Sequence, residues 1–237
     1  MHLPLDMPRQ PTDTSCGPTC LHAVYRYFEV ESDLARLIEE VPQFEEGGTF
    51  GVHLGLHALR RGFGARIISY NLRVFDPTWA SLDPDALIDK LEQRIPTLRS
   101  DKARAQHLAY VEFLRLGGEV AFLDLTPDSL GQLVGQKCPL IVGLSSTYLY
   151  QAPREQPDGR EDDVGGQPVG HFVVVNGWDA AARTVIVSDP FERNPYNPDG
   201  EYRVDVSRFI SAVMLGIVSY DANLLLIRPR SPRVAHR

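Results

Sequence analysis

The chain has 237 residues, 43% of them hydrophobic and 23% charged, with a net charge of −7. This composition fits a folded globular protein and not a fibrous or disordered one. The diffuse acidic balance argues against nucleic acid as a partner, since binding phosphates takes clustered Lys and Arg, and no apolar run reaches the roughly 18 residues of a membrane span.

Met1 to Gln10 has no apolar stretch of the kind a secretory signal needs, so a cytoplasmic location is expected. Three cysteines, Cys16, Cys20 and Cys138, give no disulfide framework and fit a reducing compartment. Thr14 or Ser15 is placed to cap a helix that starts near Cys16, with Pro18 in its first turn. Leu21, Val24, Tyr25 and Phe28 then recur at helical spacing, so one face is expected to be buried. Ser32 is expected to cap a short helix from Asp33 to Glu40. Gly47-Gly48 reads as a turn, and a third helix runs from Gly51 to Arg61 and stops at Gly62. Ala65 to Tyr70 reads as a strand.

The middle of the chain is helical. Asp83-Pro84 opens one helix (Asp85 to Arg94), and Ser100 opens a longer one (Asp101 to Leu116) that ends at Gly117-Gly118. Glu119 to Leu125 is a short strand, and Thr126-Pro127 starts a helix that ends near Gln136. Beyond it the chain turns β-rich. Leu140 to Ser145 is an apolar strand. Gln151 to Gly170 is a long polar loop. His171 to Trp178 and Thr184 to Ser188 form a hairpin around Asp179 to Arg183. Pro190 to Gly200 is a loop, Ser207 is expected to cap a helix to Leu215, and Asn223 to Arg228 is a last strand. Helices first and antiparallel strands later imply an α+β fold. We expect a single domain over 1–237, with a helical lobe to about 137, a β-rich lobe over about 138–228 and a basic tail from 229. Arg230, Arg233 and Arg237, with Arg228 just before them, give that tail its charge.

Cys16 sits where a helix begins, and the unpaired N–H groups and dipole of a helix start favour a thiolate. Gly17 leaves the backbone beside it uncrowded. His171 opens an apolar strand after a loop, so it can face a cleft. If Trp178 pairs with Thr184 across the hairpin, Val173 pairs with Asp189, and Asp189 becomes the diagonal neighbour of His171 on the same sheet face. A slip of one residue would send Asp189 to the other face. A cysteine, a histidine and an acid so placed suit nucleophilic catalysis: the acid orients the imidazole, and the imidazole takes the thiol proton.

The segment Gln10-Pro-Thr-Asp-Thr-Ser-Cys16-Gly17-Pro18-Thr19-Cys20-Leu21 resembles the active-site segment of the bacteriocin-processing (double-glycine) cysteine peptidases, which are papain-like. Gly170-His171-Phe-Val-Val-Val175, followed by Ser188-Asp189-Pro190, resembles their His and Asp segments. The resemblance implies a papain-like fold with the Cys on its helical part and the His and Asp on its sheet. It also implies a stand-alone relative with peptide or protein substrates, Cys16 as nucleophile, His171 as base, Asp189 as orienting acid and Gln10 as oxyanion donor. Gly17, Gly170 and Trp178 are candidate substrate contacts. Leu82 to Gly118 matches nothing in that family. A papain-like acyltransferase or transpeptidase, similar to phytochelatin synthases, and a catalytically silent peptide-binding module are the alternatives.

Other candidates are weaker. His53 and His57, at i and i+4 on one helix, have a zinc spacing but no acid after His53, and Cys20 lacks a second Cys/His pair, so no metal or cofactor is expected. Asn176 could stand in for Asp189, but strand alternation puts it on the face opposite His171. Tyr148 is another aromatic that could line a cleft. The Gln151 to Gly170 loop carries Glu155, Asp158, Glu161, Asp162 and Asp163 against Arg154 and Arg160, and is expected to border the cleft and disfavour acidic peptides.

Overall fold

The computed structural model describes residues 1–44, 47–197, 199–219 and 221–230; Arg233 and Arg237 of the basic tail lie outside them. An N-terminal strap leads into α1 (Cys16–Tyr27), α2 (Leu34–Glu40), α3 (Gly51–Arg60) and β1 (Phe63–Ser69). The middle holds α4 (Pro84–Arg94), α5 (Asp101–Arg115), β2 (Glu119–Ala121) and α6 (Pro127–Gly135). Then come β3 (Leu140–Ser145), α7 (Ser146–Tyr150), β4 (Gly170–Asp179), β5 (Thr184–Ser188), β6 (Glu201–Asp205), α8 (Val206–Leu215) and β7 (Asn223–Pro229).

The middle helices start where their sequence signals place them. Asp83 accepts from Ala86 N with Pro84 following it, Ser100 accepts from Ala103 N, and Thr126 forms a reciprocal capping box with Ser129. Three other caps differ from expectation. Asp33, not Ser32, caps α2, because the Ser32 hydroxyl is taken by His22 Nδ1 at 2.8 Å. Asp205, not Ser207, caps α8, accepting from both Ser207 N and Arg208 N. Ser15 takes the N-cap position of α1, as expected, but its side chain makes no capping bond. The Ser15 hydroxyl instead donates to Thr12 O at 2.9 Å and accepts from Thr12 N at 3.0 Å, which closes a tight turn just before Cys16. The strand expected to reach Leu125 ends at Ala121. The sequence pattern did not signal α7 or β6.

Among the described residues the strands form one seven-stranded sheet in the order β2-β1-β7-β3-β4-β5-β6. Only β1 and β2 pair in parallel; the other neighbours are antiparallel. β1 and β2 come from the expected helical lobe, so the sheet draws on both lobes. Side-chain alternation splits the core into two. Ile141, Phe172, Val174, Leu225 and Ile227 pack with Cys20, Leu21, Val24 and Leu54 on the side of α1 and α3. Val142, Val173, Val175, Leu224 and Leu226 pack with Leu130, Leu133, Phe209 and Val213 on the side of α6 and α8. Helices cover both faces, so β3 and β4 read as continuous apolar runs and not as alternating ones. The strap is pinned along this sheet: Leu3 N donates to Asn176 O at 2.7 Å, and Gln10 N donates to Pro190 O at 2.9 Å.

Candidate active site

Cys16, the first residue of α1, and His171, the second residue of β4, meet at one end of that strand. Two glycines allow the approach. A side chain at Gly17 would come within 3.3 Å of Phe172 Cδ2 and 2.9 Å of Thr49 Cγ2, and one at Gly143 within 3.2 Å of Phe172 Cε1. Small residues on both sides thus let the Phe172 ring lie flush against α1. Its peptide serves both cysteines: the Phe172 N–H points at Cys16, and Phe172 O accepts from Cys20 Sγ at 3.3 Å.

The site is largely dry, with Cys16 8%, His171 9% and Asp189 2% exposed. Burial would raise the Cys16 thiol, but the charge of His171, a hydrogen bond from its ring and the N–H groups of Phe172 and Gly17 outweigh it. The Cys16 pKa therefore lies below its ordinary value of 9.0. Burial would likewise lower His171, but Asp189 and Cys16 outweigh it and hold the imidazolium to about 10. The His171 Nε2–H donates to Asp189 Oδ1 at 2.8 Å, which leaves Nδ1 for Cys16. Burial pushes Asp189 up, yet its hydrogen bonds and the His171 charge keep it below the usual carboxylate range. An anion, a cation and an anion in this order stabilise one another in a low-dielectric site. The other thiols differ. Burial pushes Cys20 well above 9.0, with the Cys16 and Asp189 charges adding to it, and burial also raises Cys138.

Asp189 has two further partners that sequence reasoning missed. Tyr150 OH and Tyr202 OH donate to its Oδ2 at 2.6 and 2.8 Å, while Phe191 N donates to Oδ1 at 2.9 Å. Tyr150 lies at the end of α7 and Tyr202 on β6, the two elements that carried no sequence signal.

The other candidate residues fall in different places. Gln10 Nε2 donates to Thr12 O at 2.9 Å, and its Oε1 is buried without a partner. With Gln10 N on Pro190 O, this side chain lies between the Asp189 loop and the turn that precedes Cys16. Gly170 is exposed, and a side chain there would strike Ser219. Trp178 does not reach the site. It lies seven residues farther along β4, roughly 23 Å at the usual strand rise, with its ring against Gly131 of α6. Tyr148 lines a cavity of about 370 Å³ with Ser145, Pro168, Leu215 and Val218, on the flank where Ser145 pairs with Gly170.

His53 and His57 point to separate partners. His53 Nδ1 lies 3.2 Å from Thr49 Oγ1, while His57 bonds Tyr25 OH at 2.8 Å and Glu40 at 3.0 Å. Among the described residues no group of three metal-binding side chains is present. Asn176 binds Leu3 O and Glu201, away from His171. Also among the described residues, no helix is long and apolar enough to cross a membrane.

No curated protein matches the sequence closely enough to count as a relative. Several solved structures resemble it, three of them as follows. A double glycine motif protease from an AMS/PCAT transporter, in complex with the leader peptide, is 12% identical, with 97% of this chain and 94% of the other covered and a TM-score of 0.49. The peptidase domain of Streptococcus ComA, a bi-functional ABC transporter involved in a quorum sensing pathway, is 16% identical, with 97% and 100% covered and a TM-score of 0.47. A Bacillus anthracis protein named as a C39-like peptidase is 15% identical, with 95% of each chain covered and a TM-score of 0.50. The last likeness bears on the fold, an α+β papain-like arrangement. Residues 117–211, which include His171 and Asp189, match the Peptidase_C39 like family.

Proposed function

We propose that this protein is a cysteine peptidase or amide hydrolase that acts through a thioacyl-enzyme on Cys16. The observation that carries the reading is the charge order at the site. His171 Nε2 donates to Asp189 Oδ1 at 2.8 Å and the same ring hydrogen-bonds Cys16, an arrangement that favours an ionised Asp189, an imidazolium and a thiolate.

In the first half-reaction the Cys16 thiolate attacks the carbonyl carbon of a peptide bond, and the carbonyl oxygen takes up the electron pair. Gln10 Nε2 has one N–H on Thr12 O, and its second is the donor for that oxyanion. The tetrahedral adduct collapses as the C–N bond breaks, and the His171 Nδ1 proton passes to the departing amine. A thioester remains, beside a neutral His171. In the second half-reaction His171 takes a proton from water as the water oxygen adds to the thioester. The C–S bond breaks, the carboxylic acid leaves, and thiolate and imidazolium return. The sum is amide plus water giving acid plus amine. Asp189 keeps the ring oriented and does not change protonation.

The test is cleavage of a degenerate peptide library by the wild-type protein, read by mass spectrometry. New peptide ends that vanish in both Cys16→Ala and His171→Ala are expected, and cleavage retained in Cys16→Ala contradicts the reading.

A further inference from the structure

We propose that Tyr150 and Tyr202 are positioning residues which, through their two hydroxyl bonds to Asp189 Oδ2, hold the Cys16–His171 pair in its charged form. This rests on the hydrolase reading of the same site. The geometry is closed on every side. Oδ1 accepts from His171 Nε2 and Phe191 N, and Oδ2 accepts from Tyr150 and Tyr202. A carboxylate has about four lone-pair sites, so all are filled in a side chain with 0% exposure. No site is left for a proton on Asp189, and none for a water that would let it swing away from His171.

The fold places each tyrosine by an independent route. Tyr202 pairs with Val187 across β5 and β6, so it is the diagonal neighbour of Asp189, just as Asp189 is of His171 one strand over. A line of three side chains thus runs across β4, β5 and β6. Tyr150 arrives from the other side, as the last residue of α7. Gln151 turns the chain behind it with a left-handed φ of 54°, and Tyr196 locks that helix end by donating to Leu149 O at 2.6 Å. The Tyr196 ring also stacks on Tyr202 with centroids 4.6 Å apart, so one aromatic group fixes both donors. Burial, with the Asp189 charge adding to it, pushes both phenols well above their ordinary 10.0. Both therefore keep the proton that they donate. Each donor stabilises the Asp189 anion, and that anion holds the imidazolium on which the thiolate depends. Loss of either hydroxyl should let Asp189 protonate at higher pH.

The experiment compares Tyr150→Phe, Tyr202→Phe and the double variant with wild type. Alkylation of Cys16 by iodoacetamide is followed across pH, and kcat and KM are measured on a cleaved library peptide. The acid limb of the alkylation profile should move up by about one pH unit in each single variant and farther in the double. kcat should fall roughly tenfold with KM unchanged. Profiles that superimpose on wild type, even with a lowered Tm, overturn the positioning role and leave the hydrolase reading intact. An ordinary thiol profile in the wild type overturns both. If Tyr202→Phe does not fold, Tyr150→Phe carries the same readout, because its ring edge sits at a helix end and not within the sheet.

Discussion

Asn176 decides which face of the sheet Asp189 occupies. From the hairpin end, Asp179 pairs with Thr184, Trp178 with Val185 and Gly177 with Ile186. Continued unbroken, that ladder would set Asp189 opposite Val174, on the face away from His171. The ladder shifts between Val175 and Gly177, so Asn176 has no partner, and Val175 and Val174 pair with Val187 and Ser188. Asp189 then comes opposite Val173 and reaches His171. The bulge is held in place: Asn176 Nδ2 donates to Glu201 Oε2 at 2.9 Å and to Leu3 O at 3.1 Å. Bulges that re-aim a side chain beside a site are a known use of the irregularity. Asn176→Ala keeps the chain length but removes both anchors of the bulge, so it should let the ladder slip towards the unbroken register and raise the Cys16 pKa while much of the fold survives. Circular dichroism with Cys16 alkylation checks this; an Asn176→Ala variant with wild-type thiol reactivity would show that those anchors do not set the register.

Gln10→Ala should lower kcat by about 10²–10³ and leave KM and Tm nearly unchanged, the usual consequence of losing one oxyanion donor. The backbone of Gln10 holds the strap through its own N–H on Pro190 O, which the substitution keeps. A loss confined to KM would make Gln10 a substrate contact instead.

Asp221 should make stability fall with rising pH. It accepts from Gly51 N at the start of α3 and from Asn223 Nδ2 at 2.5 Å, and burial lifts its pKa from 3.8 to about 7. A raised folded pKa gives stability that is fully present below about 3.8 and lost as pH climbs through about 7. Asp221→Asn should flatten Tm between those values and raise it at pH 8. The buried, unpartnered Asn223 Oδ1 can accept from the new amide once Asn223 turns over. A variant with the wild-type slope would assign the pH dependence elsewhere.

The loop between Gln151 and Gly170 builds its own frame. Glu155 and Gln167 exchange backbone bonds at 3.0 and 2.7 Å, and Asp162 accepts from Gly165 N, Val164 N and Gln156. Asp158 accepts from Arg160 N. Glu155, Glu161 and Asp163 are the carboxylates that the expected repulsion of acidic peptides would draw on. Replacing Arg154 to Gly166 with a short Gly/Ser linker should raise kcat/KM selectively on acidic peptides. A uniform loss over acidic, neutral and basic peptides would instead identify a lid.

The sequence reading placed the Cys16, His171 and Asp189 segments because each carries a local signal: a helix start, a strand after a loop, and a turn acid before Pro190. The hairpin register was off by one at Trp178 yet correct at Asp189, since the Asn176 bulge is a tertiary irregularity tied to Leu3 and Glu201. Tyr150 and Tyr202 were invisible for a related reason. α7 spans only five residues and β6 is a five-residue edge strand, too short for periodicity to register. Trp178 was misplaced because an aromatic beside a turn gives no clue to which end of its strand faces the cleft.

The most direct measurement is the pH dependence of iodoacetamide alkylation, mapped by mass spectrometry to each cysteine of the native protein. The account predicts that Cys16 labels first, with a limb below pH 9.0 from its own titration and a second change near pH 10 as His171 loses its proton. Cys20 and Cys138, both raised, should stay slow until the protein unfolds. Labelling of Cys16 no faster than that of Cys20 and Cys138, with a single limb at or above pH 9.0, would contradict the thiolate–imidazolium pair on which the proposed chemistry depends.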